Sequence, residues 1–112
     1  MTPAFAVHAL SALAQETRLA IYRLLVQAGP TGLVAGQIAE AVGVPAATLS
    51  FHLKTLSHVG LVRGRQEGRF VRYVAEFEAM HGLIGYLSEN CCGGDAAVCA
   101  PQTIGCQKET SA

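Results

Sequence analysis

The chain opens with two stretches in which apolar residues recur every three or four positions. This spacing predicts amphipathic helices over residues 4–14 and 16–28, and the Gly29-Pro30 pair ends the second helix. After this break, LVAGQIAEAV repeats the helical spacing over residues 33–42 and stops at a glycine. Three helices are therefore predicted in the first part of the chain.

A fourth helix follows after a short turn that contains Gly43. Pro45 suits the first position of a helix, and PAATLSFHLKTLSHV then places Leu49, Leu53 and Leu56 on one side. Two short helices joined by a turn of this kind are the signature of the helix-turn-helix. In such units the second helix is the one that enters the major groove of DNA.

The repeat of apolar residues then changes from helical to every second position. LVRGRQ and RFVRYVA alternate apolar with charged residues around Glu67-Gly68, which predicts a β-hairpin. Helical spacing resumes over residues 76–90, and no periodicity follows. This order predicts a mainly helical winged helix-turn-helix domain over residues 1–90, followed by a flexible tail over residues 91–112.

Composition and charge narrow the class of protein further. The 112 residues suffice for one core, and no apolar run approaches the ~18 residues of a membrane-spanning helix. The N-terminus lacks the basic region of a secretory signal, so we expect a soluble, cytoplasmic protein with reduced thiols. Eight basic residues balance eight acidic ones overall, but segment 41–75 holds five basic residues and one acidic residue, a net of +4. The basic charge is thus concentrated in the predicted helix-turn-helix and hairpin.

The fourth helix carries the first group of candidate DNA contacts. Thr48, Ser50, Phe51 and Lys54 lie away from the leucine side on a helical wheel. Because a recognition helix reaches base edges with its N-terminal residues, Thr48, Ser50 and Phe51 are expected to contact bases. Lys54 is expected to meet a phosphate, whereas His52 lies beside the buried side and is expected to be packed and hydrogen-bonded. Ordinary solvent exposure is the alternative for Thr48 and Ser50.

The hairpin carries the second group, which consists of Arg63, Arg65, Arg69 and Arg72. Arginines on an extended ribbon beside a recognition helix suit contacts with phosphates or with the minor groove. The alternative interpretation is a solvated hairpin face.

Two stretches, ETRLAIYRLL and QIAEAVGVPAATLSFHLKTLSHVGLVRGRQEGRFVRYVA, resemble the ArsR/SmtB family of metal-responsive repressors. The resemblance spans residues 5–90, and SFHLKTLSHVGLV is its most specific part. It implies a homodimer, joined mainly through the first and last helices, that represses its operator until a metal or metalloid binds. Many relatives have Ser-Gln where this chain has Pro45-Ala46, so their base contacts are not carried over.

Relatives place their sensing ligands at several positions along the fold. The common arsenic-sensing pattern is Cys-Val-Cys at the start of the first helix of the helix-turn-helix, where this chain has VAG at residues 34–36. The zinc-sensing pattern on the last helix needs paired histidines and carboxylates, but this helix offers a single histidine, His81, with glutamates. The first site is absent, and the second is incomplete.

The four cysteines of the chain all lie in the tail, at Cys91, Cys92, Cys99 and Cys106. Thiolates select soft, thiophilic ions over magnesium, calcium or manganese. Three thiolates bind trivalent arsenic or antimony as a neutral trigonal pyramid, and Gly93-Gly94 lets the backbone turn after the adjacent pair. We therefore expect Cys91, Cys92 and Cys99 to bind As(III) or Sb(III) as an inducer and no cofactor to be required; Cys106 is also within reach as the third ligand.

Other interpretations of the tail stay open. Four thiolates could bind zinc, cadmium or lead, although structural zinc sites usually pair cysteines at closer spacing than CC-x6-C-x6-C. Clustered thiols could instead act as a redox switch, or could be incidental. A thiol enzyme is disfavoured, because reactive thiols usually need a helix N-terminus or nearby cations. The adjacent cysteines of this tail instead follow the end of a predicted helix and lie beside Glu89 and Asp95. The choice among arsenite, antimonite and methylated arsenicals is also open.

Overall fold

The computed structural model describes residues 1–94. Its helices and strands are α1 (Pro3–Leu13), α2 (Glu16–Ala28), β1 (Leu33–Val34), α3 (Ala35–Val42), α4 (Ala46–His58), β2 (Val62–Glu67), β3 (Phe70–Ala75) and α5 (Phe77–Leu87). Short 3₁₀ turns follow α2 and α5. This is the predicted winged helix-turn-helix, and in the described part no helix is long and apolar enough to cross a membrane.

Local capping explains why the first helices begin and end where the sequence indicated. The hydroxyl of Thr2 accepts a hydrogen bond from the amide of Phe5 at 3.1 Å, and Pro3 follows as the first residue of α1. At the end of α3, Gly43 adopts the left-handed conformation with φ of 72°, in which a side chain would be strained. The turn between α3 and α4 is therefore set by the residues within it.

The sheet corrects the predicted start of the third helix. Leu33 and Val34, assigned to that helix from their spacing, instead form β1 and pair antiparallel with β3. Gly32 makes this approach possible, because a Cβ at its position would overlap the backbone oxygen of Tyr73. The sheet has the order β1-β3-β2, so the hairpin gains a third strand that the sequence pattern did not reveal.

The last helix is also shorter than predicted, since α5 ends at Leu87 rather than near residue 90. The Ser88 hydroxyl donates to the Ile84 carbonyl at 2.8 Å, and Asn90 has a positive φ of 58°. A side-chain bond to the preceding turn and a left-handed residue both favour leaving the helix here. The two cysteines that follow consequently lie in a turn and not on α5.

A single core lies between the helices and the sheet. Its fully buried large side chains are Ile21, Leu25, Ile38, Leu49, Leu53, Leu56 and Leu61. The three leucines of α4 are at most 2% exposed, as their helical spacing predicted. Their burial turns the opposite face of α4 toward solvent.

Candidate nucleic-acid interface and cysteine pair

The outer face of α4 presents all four candidates that the sequence placed there. Thr48, Ser50, Phe51 and Lys54 are exposed, and Phe51 is 63% exposed. Lys54 forms no salt bridge with any other residue in the range 1–94. A face with a free ammonium group and a solvent-facing aromatic ring has the chemistry to contact phosphates and the apolar edges of bases.

His52 lies behind this face and is packed and hydrogen-bonded, as predicted. It is 8% exposed and is the one buried polar residue in the described part of the chain. Its Nδ1 lies 3.3 Å from Nη1 of Arg18, a residue of α2. Its ring also meets the ring of Phe51 edge-on, with 5.7 Å between centroids. The exposed aromatic is thus supported from below by a buried imidazole.

The hairpin separates its four arginines into different settings. Arg65 pairs directly with Arg72 across the two strands, and alternation along β2 puts Arg63 on that same face. Arg69 lies in the exposed turn between the strands. The structure therefore brings three of the four arginines together on one face and leaves the fourth at the tip.

Glu67 joins two of the arginines on that face. Its Oε2 accepts from Nη2 of Arg65 at 3.1 Å, and its Oε1 accepts from Nε of Arg72 at 3.0 Å. The hydrogen bond from Arg72, and then that from Arg65, lowers the pKa of the Glu67 carboxyl. Arg72 also donates to the Thr31 carbonyl at 3.2 Å, so it ties the hairpin to the turn before β1.

The remaining arginines differ in their freedom. Arg63 forms an exposed ion pair with Glu76 at 3.3 Å, whereas Arg69 has no ion pair among residues 1–94. Beside Arg69, Phe70 is 63% exposed. Phe70 was not among the contacts predicted from the sequence, although an aromatic residue placed directly after the hairpin turn was a signal for it. The tip of the hairpin thus combines a free guanidinium group with an exposed ring.

Apolar surface is also exposed on the first, second and last helices. Val7 and Leu10 of α1 are 62% and 42% exposed, and Leu87 of α5 is 60% exposed. A groove of about 370 Å³ lies between α2 and α5, and its lining residues include Leu19, Val26, Met80, Leu83 and Ile84. An exposed apolar surface of this kind is suited to burial against another protein surface.

The adjacent cysteines occupy the turn that follows α5. Cys91 is half-buried and Cys92 is exposed, and the φ values of Cys92 and Gly93 are 56° and 67°. The backbone therefore turns sharply at the pair, as the glycines there predicted. Cys99 and Cys106 lie outside the described residues. Within residues 1–94, no three His, Cys, Asp or Glu side chains are grouped so that they could hold a metal ion.

Comparison with known sequences agrees with the helix-turn-helix. A family model described as a helix-turn-helix domain matches residues 13–65. An uncharacterized HTH-type transcriptional regulator of Bacillus subtilis, YceK, is 39% identical over 64 residues. This match covers 57% of the present chain and 62% of YceK, which is less than two thirds of that relative.

Solved structures extend the likeness to most of the described chain. An ArsR-like transcriptional regulator from Rhodococcus sp. RHA1 is 26% identical, with a TM-score of 0.69 over 85% of this chain and 87% of that one. HlyU from Vibrio cholerae is 34% identical, with a TM-score of 0.62 over 75% of this chain and 91% of that one. The homodimeric winged helix-turn-helix DNA-binding domain Mb0332 from Mycobacterium bovis, a possible ArsR-family regulator, is 29% identical, with a TM-score of 0.61 over 81% and 84% of the two chains.

The hairpin beside a helix-turn-helix and the exposed recognition helix define the class of winged helix-turn-helix proteins. Within that class, the chain belongs to the ArsR family of transcriptional regulators. This family consists of regulators and not of enzymes, in agreement with the sequence-based expectation.

Proposed function

We propose that this protein is a homodimeric, cytoplasmic repressor that releases its operator when trivalent arsenic or antimony binds the cysteines of the tail. One observation supports the DNA-binding part most directly. The solvent-facing side of α4 carries Phe51 and Lys54, and the neighbouring hairpin adds four arginines. Every candidate contact with DNA therefore lies on the recognition helix or on the hairpin.

The two elements have different tasks in this proposal. Thr48, Ser50 and Phe51 contact base edges in the major groove, and Lys54 contacts a phosphate. Arg69 is the arginine best placed to meet the backbone or the minor groove, because it lies in the turn without an ion pair among residues 1–94. Arg63 and Arg65 reach phosphates by exchanging their carboxylate partners, whereas Arg72 mainly holds the hairpin in place.

The exposed apolar residues of α1 and α5 support a homodimer. Val7, Leu10 and Leu87 are 42–62% exposed in the single chain. Packing them against a second copy would remove their apolar surface from water, which is favourable. The relative Mb0332 is described as homodimeric. A two-fold dimer has a direct use in DNA binding, because two recognition helices about 34 Å apart enter successive turns of the major groove.

The position of the cysteine pair supports its role as the sensing site. Cys91 and Cys92 lie directly after α5, and together with Cys99 they provide the three thiolates that As(III) or Sb(III) requires. Binding would draw the turn at Ser88–Asn90 toward the ion and change the end of a proposed dimer helix. The bound state would then favour a spacing of the recognition helices unsuited to the operator. In this proposal residues 91–112 are the sensing tail of the domain formed by residues 1–90.

The test measures operator binding by the full chain and by a chain that ends at Asn90. We expect both proteins to shift a DNA fragment from the promoter region of the gene, and arsenite to release only the full chain. Arsenite should weaken operator binding, typically by 5- to 150-fold, and linkage requires DNA to weaken arsenite binding by that same factor. Loss of operator binding by the truncated chain without any ion would contradict the sensing-tail proposal.

The ligand set is tested separately in the reduced full chain. We expect Cys91→Ser, Cys92→Ser and Cys99→Ser to abolish the response to arsenite, with Cys106→Ser as the control that retains it. Thiol-to-metal absorption on titration with arsenite, antimonite and zinc compares the ions. A response to zinc alone, or to an oxidant alone, would replace the metalloid by the metal or redox alternative.

A further inference from the structure

The tip of the hairpin is a tight turn that fixes the position of the residue after it. Glu67 of β2 pairs with Phe70 of β3, so only Gly68 and Arg69 lie between the strands. Gly68 has a positive φ of 61°, and a two-residue turn with glycine in its first position is a standard hairpin connection. The side chain of Gln66 donates a hydrogen bond to the Gly68 carbonyl at 2.7 Å. Strand pairing and this bond together hold the backbone that carries Phe70.

Phe70 lies on the face of the hairpin that is turned away from the core. Side chains alternate between the two faces of a strand, and residues directly opposite each other on two strands share a face. Tyr73 and Ala75 of β3 pack with the core, so Phe70 and Arg72 lie on the other face, together with Arg65 opposite Arg72. Phe70 is 63% exposed, and within residues 1–94 it is not among the apolar side chains that pack on the core. Packing of the core therefore does not account for an aromatic residue at this position.

Positive charge surrounds the exposed ring. The two hairpin strands and their turn contain four arginines, one glutamate and no other charged residue, a net of +3. Arg65 and Arg72 share the face of Phe70 and both bind the one carboxylate, Glu67. Arg69, in the turn itself, has no ion pair among residues 1–94. A ring set among cations in this way complements a polyanion that also offers apolar surface, as stacked bases do.

The hairpin is fixed to the helix that is proposed to enter the major groove. The Ser57 hydroxyl of α4 donates to the Val62 carbonyl at the start of β2 at 3.3 Å, and the Leu61 amide donates to the Leu56 carbonyl at 3.0 Å. From its first to its last residue, β2 spans about 17 Å. The major groove is about 12 Å wide, so the hairpin is long enough to extend from a helix in that groove to the minor groove beside it.

An aromatic side chain among cations has a physical use in the minor groove. Apolar wedges such as phenylalanine insert there between base pairs, which unstacks the base step and kinks the duplex. Unstacking is easiest at the flexible pyrimidine–purine steps TA and CA/TG. Neighbouring arginines neutralise phosphates as the protein backbone approaches. Contacts with phosphates alone would not make use of a phenyl ring, which has no hydrogen-bond donor.

We infer that Phe70 is a wedge that inserts between base pairs in the minor groove beside the site of α4, while Arg69 holds the tip of the hairpin on adjacent phosphates. This inference rests on the proposed function, since it assigns a base contact to the hairpin of the same DNA interface. The hairpin then contributes to sequence preference as well as to affinity. An operator with a TA or CA/TG step at the position of Phe70 should be bound more tightly than one with a purine–purine step there.

The test compares the full-length wild type with Phe70→Ala and Phe70→Leu on a DNA fragment from the promoter region of the gene. Leucine retains an apolar wedge, whereas alanine removes it. We expect Phe70→Ala to bind about tenfold more weakly, with an unchanged slope of log affinity against log salt, and Phe70→Leu to retain most of the affinity. Because Phe70 is largely exposed, the urea midpoints of both variants should match that of the wild type.

Permanganate oxidation of unstacked thymines detects the wedge in the DNA itself. At saturating protein, the wild type and Phe70→Leu should make a thymine outside the region covered by α4 hyperreactive, and Phe70→Ala should not. Circular permutation of the fragment should show a smaller bend for Phe70→Ala. Val71→Ala shortens the neighbouring apolar residue on the opposite face of β3 and is the matched control that should keep the thymine reactive.

The outcomes separate this inference from the proposed function. If the wild type binds and Phe70→Ala gives the same affinity and the same thymine reactivity, the inference is overturned and the proposed function stands. A weaker affinity of Phe70→Ala with unchanged thymine reactivity also overturns it, because the ring would then act without unstacking bases. So does a lower mass of Phe70→Ala in sedimentation equilibrium, because Phe70 would then contact a second copy of the chain. A wild type that does not shift the fragment overturns the proposed function and the inference together.

Discussion

The recognition helix and the hairpin both reach the surface proposed to meet DNA, but different forces hold them. α4 is held by three leucines that are at most 2% exposed, whereas three arginines of the hairpin are held by Glu67 and Glu76 in ion pairs, and the pairs of Arg63 and Arg65 are the more exposed ones. Burial of apolar surface changes little with ionic strength, but exposed ion pairs are weak and screened by salt. The helix is thus a fixed element, whereas Arg63 and Arg65 can exchange their carboxylate partners when a phosphate approaches.

The largest effect is expected from removing a buried leucine of α4. Leu56 is 0% exposed, so Leu56→Ala should reduce the free energy of unfolding by about 2–5 kcal/mol. Urea unfolding measures this loss, and Thr48→Ala on the exposed face should stay within about 0.5 kcal/mol of the wild type. A loss below about 1 kcal/mol for Leu56→Ala would show that apolar burial does not hold the helix.

A smaller effect is expected within the hairpin. A Cβ at Gly64 would lie 2.8 Å from Cε1 of Tyr73, so Gly64→Ala should cost about 1–3 kcal/mol through overpacking. At Gly36 a Cβ would meet nothing within 4 Å, so Gly36→Ala in α3 should instead be neutral or slightly stabilising. Thermal unfolding measures whether each variant is less stable or more stable than the wild type. Equal stability of both would mean that the ring of Tyr73 moves away without cost.

Variants of the hairpin arginines distinguish a cation without an ion pair from cations that are held in ion pairs. Arg69→Ala should reduce the slope of log affinity against log salt by about one, because one phosphate contact is lost. Arg65→Ala should act in the same direction, whereas Arg72→Ala should change stability more than slope, since Arg72 is bound by Glu67 and Thr31. DNA binding measured at several salt concentrations tests this. Unchanged slopes for both Arg65→Ala and Arg69→Ala would remove the hairpin from the interface.

The smallest effect is expected from Glu67→Gln. Because the two arginines lower the pKa of Glu67, its ionised form stabilises the fold at neutral pH. That contribution disappears as the pH falls below the ordinary carboxyl range, through the lowered pKa. Urea unfolding should therefore show that the free energy of unfolding decreases more between pH 7 and pH 3 in the wild type than in Glu67→Gln. Glu78→Gln, on exposed α5 surface, is the control that should keep the wild-type difference.

The same variant also sharpens the comparison at the DNA surface. Glu67 is the only acidic residue in segment 41–75, so its neutralisation should raise affinity for operator and unrelated DNA alike. Gel-shift titrations with both fragments measure this. Weaker binding of both would mean that Glu67 helps by orienting the arginines, and the hairpin would then resemble α4 in being held in one arrangement.

Sequence patterns were reliable where neighbouring residues decide the structure. The helices predicted over 4–14 and 16–28 are observed at Pro3–Leu13 and Glu16–Ala28, and the turn at Gly43 lies where the pattern stops. They failed where a distant partner decides. The helical spacing of Leu33 was overridden by its pairing with Tyr73. The early end of α5 is a different kind of miss, because the Ser88 contact is local but is not registered by apolar spacing.

In the candidate site, too, some features follow from short-range sequence and others from tertiary contacts. The amino-acid sequence by itself determined the outward position of Phe51 and Lys54, the clustering of arginines and the thiol character of the tail, because side-chain type and short-range periodicity suffice for these. Only the tertiary structure decided which arginines are engaged and that Arg18 meets His52. These contacts join residues 34 and 41 positions apart, in the pairs Arg18–His52 and Arg72–Thr31. Such pairs form only when burial of the shared core brings α1, α2, α4 and the sheet together, and no local repeat in the chain encodes their meeting.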